Sequence, residues 1–178
     1  KPFWWFTATN NWNSVCLAGV TGAALALLPD KEERAYFVAA AEKYNVYGMK
    51  GYADDGYCSE GVGYYNYGFR AYILLREEVY RATQGKIDFF RIARYGKKIQ
   101  MNEGVCPAYS DCRIGLSPDK FILSYCDRAL GITSAEEQPV LPKGNNLSLH
   151  LLELFTSRVA KVGMTDGIRQ VLQEESDA

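Results

Sequence analysis

Between Asn13 and Leu28 the chain sets Ala18, Gly19, Gly22, Ala23, Ala24 and Ala26 among leucines and valines, and Pro29 stops the run. No other stretch limits the fold so much. With Asn13 or Ser14 as a cap at its start, it reads as a buried helix whose small residues let neighbouring helices come close. Asp30 then caps a second helix, in which Ala35, Phe37, Val38, Ala41, Tyr44 and Val46 recur at helical spacing beside charged residues. The short link between the two predicts an antiparallel helical hairpin.

The same reading continues down the chain. A third helix is expected over 64–83, with Phe69, Tyr72, Ile73, Leu75, Val79 and Tyr80 as its apolar set and Gly85 ending it. A fourth is expected over 87–101, and further helices over 120–130 and 147–162. Between 103 and 119, Gly104, Pro107, Ser110, Gly115, Ser117 and Pro118 argue a long loop. No segment sustains the alternation of a strand. The fold class expected is therefore all-α, built of antiparallel helical hairpins, with no fixed repeat to choose between a solenoid and an α/α toroid.

Composition narrows the partners. A chain of 178 residues with 48% apolar content can bury one core, and a formal charge of −1 gives no general attraction for nucleic acid. No apolar run reaches the roughly 18 to 20 residues that a bilayer requires, so no membrane insertion is expected. The start, Lys-Pro-Phe-Trp-Trp-Phe, is unlike a signal peptide, and the chain reads as a single domain excised from something longer. Cys16, Cys58, Cys106, Cys112 and Cys126 are spread without a Cys-x-x-Cys spacing, which favours buried thiols over a Cys106–Cys112 disulfide. With His150 the only histidine, neither a metal nor a cofactor is expected.

Two polar clusters carry the chemistry. Asn10, Asn11, Trp12 and Asn13 precede the first helix, where capping and a packed indole would account for them. The second runs from Asp54 to Arg70 and crowds Tyr57, Tyr64, Tyr65 and Tyr67 around a glycine-rich turn. Phenols at the mouth of a helix offer flat faces for stacking and hydroxyls for hydrogen bonds, although packing is their commoner use.

Taken together, Asn10-Asn11-Trp12-Asn13, Asp55-Gly56-Tyr57-Cys58-Ser59-Glu60 and Tyr65-Asn66-Tyr67 resemble the heparinase II/III-like polysaccharide lyases. Tyr65 follows Asn11 by 54 residues, about the family's separation, and Pro107-Ala108-Tyr109-Ser110-Asp111 is similar to a Pro-x-x-x-Asp loop of these proteins. The resemblance covers roughly residues 4–130. It implies part of an incomplete α/α toroid without the β-sandwich that follows in the family, and a periplasmic or secreted setting. The chain departs from the pattern at Trp12 and Asn66, both positions where histidine is common, and the family's histidine from the sandwich has no counterpart.

The resemblance implies β-elimination on a uronic-acid sugar of an acidic polysaccharide or oligosaccharide. The uronate carboxylate must be neutralised before the C5 proton can leave. Asn11 is the implied donor to that carboxylate, and Tyr65 the group that takes the C5 proton or protonates the departing O4. Asn10, Trp12, Asn13, Glu60, Tyr64, Tyr67 and Asp111 are the implied substrate-binding positions, with Trp12 able to stack on a sugar ring. Arg70 or Arg113 is the cation expected to make Tyr65 more acidic. Two rivals remain: a toroid glycoside hydrolase using two of Asp54, Asp55, Glu60 and Asp111, and a binding or scaffold domain without turnover.

Overall fold

The computed structural model describes residues 3–53, 57–89, 98–102 and 104–132. Within them the chain is helical, with no strand beyond two isolated antiparallel bridges, Tyr52 to Cys58 and Asn102 to Val105. After a 3-10 turn at Trp4–Thr7 come α1 (Asn11–Leu27), α2 (Lys31–Met49), α3 (Gly61–Ala82) and α4 (Lys120–Leu130). The expected all-α character is therefore present. Most of the fourth expected helix, and all of the one over 147–162, lie outside the described residues. Residues 87–89, where the fourth is expected to start, are not helical.

Local chemistry sets the boundaries. Asn10, rather than Asn13 or Ser14, caps α1 by accepting from the Trp12 backbone N–H at 3.2 Å. Asp30 caps α2 through the Glu33 N–H at 2.8 Å, as its position suggested. Asp119 caps α4 through the Phe121 N–H at 3.0 Å. Gln84 and Gly85 take left-handed conformations just beyond α3 and turn the chain away.

Small residues place α1 at the centre. It packs against α2 on one side and α3 on the other, while α2 and α3 scarcely meet. The core falls into two parts. Leu17 and Ala18 join Val38, Ala41, Leu75 and Val79 between α1, α2 and α3. Val62, Tyr65, Phe69, Tyr72 and Ile73 join Phe121, Ile122 and Tyr125 between α3 and α4.

A buried ionic cluster locks α3 to α4. Arg76 and Glu77 are adjacent on α3 and almost wholly enclosed. The Arg76 guanidinium donates to both Asp88 carboxylate oxygens, at 3.0 and 2.6 Å, and to the Tyr125 hydroxyl at 2.6 Å. That hydroxyl donates to Glu77 Oε1 at 2.5 Å, and Arg81 closes on Glu77 from the next turn. Burial alone would weaken Arg76's hold on its proton; Asp88 and Tyr125 more than offset it and raise its pKa. Burial, with the Glu77 charge beside it, likewise pushes the Tyr125 phenol well above its usual range.

All five cysteines carry free thiols, so the Cys106–Cys112 disulfide considered above is not formed. Among the described residues no helix is long and apolar enough to cross a membrane, and no group of three metal-ligating side chains gathers.

Candidate functional site

The first turn of α1 lies over the first turns of α3, and Gly68 makes this possible. A Cβ at Gly68 would stand 2.9 Å from Asn11 Cβ and 2.9 Å from the Tyr52 hydroxyl oxygen, so any side chain there would push α1 away. The hydroxyl and the Asn11 stem therefore converge on one glycine. From this seat the buried Asn11 amide donates to the Glu60 carboxylate, at 3.1 Å to Oε2 and 3.4 Å to Oε1. Glu60 precedes α3, and Gly61 after it has φ +86°. A Cβ on Gly61 would meet Cys112 Cβ at 2.7 Å and the Tyr109 carbonyl at 2.9 Å, so this turn requires glycine twice over.

The loop after residue 104 braces the turn from outside. Tyr109 stacks on Tyr57, with ring centroids 5.9 Å apart, and donates its hydroxyl to the Cys58 carbonyl at 2.8 Å. Asn66 fixes the far end of the loop: it donates to the Ser117 carbonyl and accepts from the Asp119 N–H, each at 2.9 Å. This side chain thus spends both ends of its amide on the loop.

Asn11 and Glu60 are brought together where α1 meets α3, whereas Tyr65 belongs to the core between α3 and α4 and is linked to them through Tyr52. Tyr65 is wholly enclosed, stacked on Phe69 at 5.6 Å and covered edge-on by Tyr52 at 6.3 Å. Tyr64 is half-buried, and Tyr67 lies on the outer side of α3, 56% exposed. Trp12 is 51% exposed, held edge-to-face by the exposed Trp4 at 5.6 Å. Asp111 sits exposed on the bracing loop.

Asn10 and Asn13 have structural duties. Asn10 is the cap already described. Asn13 is fully buried, and its amide nitrogen reaches the carbonyls of Trp5, Phe6 and Tyr44 at 3.2, 2.9 and 3.1 Å. It pins the 3-10 turn to the end of α2 and offers no donor to a ligand. Of the two cations expected beside Tyr65, Arg70 is otherwise engaged in a close ion pair with Asp119, and Arg113 sits exposed on the loop.

Tyr52 is the site residue that sequence reasoning missed. Its ring packs edge-on against both Tyr65 and Phe69. Burial, reinforced by Cys58, Glu60 and Tyr72, pushes its phenol well above the usual range, so it holds its proton. The only signal was its place just before the acidic, glycine-rich turn.

A separate cavity of about 400 Å³ lies between the 3-10 turn, α1 and α2, lined by Trp5, Phe6, Val20, Tyr36, Phe37 and Tyr44 among others. None of the expected site residues lines it. The chain matches no protein-family model, no curated protein and no solved structure.

Proposed function

We propose that the chain is the helical portion of a polysaccharide lyase-like protein, part of an α/α toroid, acting by β-elimination on a uronic-acid sugar. The observation that carries this reading is one patch that combines an oriented amide with a phenol. Asn11 is steadied by Glu60 and seated on Gly68 beside the Tyr52 hydroxyl, and the Tyr52 ring in turn packs on Tyr65. An amide can hold a carboxylate and stabilise the charge that grows on it as the C5 proton leaves, and one tyrosine, entering as its phenolate, would take that proton and return it to the departing O4. Asn11 beside tyrosines fits elimination better than hydrolysis, which needs two carboxylates flanking the bond. Trp12, backed by Trp4, is placed at the start of α1 to stack on a neighbouring ring.

The enclosure of Tyr65 favours one second reading: the patch binds an acidic sugar without turning it over. One experiment separates the two. The protein is incubated with unsulfated and sulfated uronate polymers, and absorbance near 230 nm is followed along with reducing ends. A rise in both supports elimination; reducing ends without absorbance refute it; saturable binding with neither supports the non-catalytic reading.

A further inference from the structure

We propose that Tyr52, not Tyr65, is the phenol that contacts the bound sugar, donating a hydrogen bond to a ring or glycosidic oxygen beside the carboxylate that Asn11 holds. The inference rests on the acidic-sugar reading above and specifies who makes its second polar contact.

Three observations carry it. The first is access: Tyr65 is completely enclosed and stacked on Phe69, whereas Tyr52 is partly exposed and is one of the groups that cover it. The second is convergence, since the Tyr52 hydroxyl and the Asn11 stem both close on the bare backbone of Gly68. A carboxylate and an oxygen of one sugar ring are a few ångströms apart, which suits a hydroxyl and an amide whose stem rests on the same glycine.

The third is unspent capacity. Among the described residues the Tyr52 hydroxyl forms no hydrogen bond, unlike the hydroxyls of Tyr72, Tyr109 and Tyr125, each of which donates to a protein oxygen. Buried or half-buried phenols are normally paired. The ring is fixed from two sides by Tyr65 and Phe69, so the hydroxyl is already oriented, and ordering it costs a ligand little. Burial, with Cys58 and Glu60 nearby, keeps the phenol in its protonated, donating form.

The test compares Tyr52→Phe and Tyr65→Phe in the whole chain, with calorimetric titration by an unsulfated oligomannuronate tetrasaccharide and by a heparan-derived tetrasaccharide. Circular dichroism and thermal unfolding check each fold. The expected result is a Kd about tenfold weaker for Y52F on the sugar that the wild type binds, with its melting temperature nearly unchanged. Y65F is expected to bind within twofold of wild type. Equal affinity of Y52F and wild type, or a loss confined to Y65F, overturns the assignment while leaving the sugar reading intact. A wild-type chain that binds neither tetrasaccharide overturns both.

Discussion

Glu78 gives the structure's sharpest quantitative expectation. It lies on α3 against α1, where its Oε1 would be 2.5 Å from a Cβ on Gly22 and its buried Oε2 has no hydrogen-bond partner. A carboxylate so placed loses water and gains nothing, and burial raises its pKa from 4.5 to about 8. The sign follows from linkage. Between those limits the folded chain binds a proton that the unfolded chain has released, so stability is fully present below about pH 4.5 and is lost as pH rises toward 8. At about 1.4 kcal/mol per pH unit the whole loss approaches 5 kcal/mol, and partial access of water trims it toward about 2. Glu78→Gln removes the titration while keeping the shape.

Urea unfolding of wild type and E78Q at half-unit steps from pH 4 to 9 measures this directly. E78Q is expected to gain on wild type by about 2–5 kcal/mol across the range, most steeply between pH 5 and 8. Comparing the two proteins cancels every other titrating group. A stability gap that stays constant with pH would refute the reasoning, whatever its absolute size, since an ionised Glu78 would then be equally tolerated in both states.

Two further substitutions test the frame around the site. Gly61→Ala combines a left-handed backbone with contacts at 2.7 and 2.9 Å, one of them to a backbone carbonyl, and should cost about 2–4 kcal/mol in urea unfolding. Asn13→Ala leaves the carbonyls of Trp5, Phe6 and Tyr44 without their shared donor and should cost about 1–3 kcal/mol. Its footprint in hydrogen exchange should be faster amides in the 3-10 turn and the last turn of α2, with α4 unchanged.

The helices were legible in the sequence because their signals are local. Pro29 and Asp30 mark the break between α1 and α2, and both Asp30 and Asp119 act through N–H groups two or three residues away. The order of packing was not. Small residues along α1 announced close approach without saying to what, and α1 has close neighbours on two sides: Asn13 meets Gly48 of α2, while Gly22 meets Glu78 of α3. The ionic cluster was invisible for a similar reason. Arg76 and Glu77 read as the polar side of an amphipathic helix until Asp88 and Tyr125 arrive from elsewhere to satisfy them.

The tyrosines show where motif spacing and helix phase part company. Spacing from Asn11 and Glu60 singles out Tyr65, yet Tyr65, Phe69, Tyr72 and Arg76 follow one another at intervals of four, three and four along α3. That is the rhythm of a single buried stripe, and all four are enclosed. The same rhythm turns Tyr67 outward, and Tyr67 is exposed. The enclosure of Tyr65 was thus written in its periodicity, beside the motif that pointed to chemistry. Tyr52 had no such trace, because it lies past the end of α2 where no period applies and only the bare backbone of Gly68, sixteen residues on, gives its hydroxyl a place. A glycine where two helices cross, rather than the tyrosine nearest the motif, is what brings an amide and a phenol onto one patch.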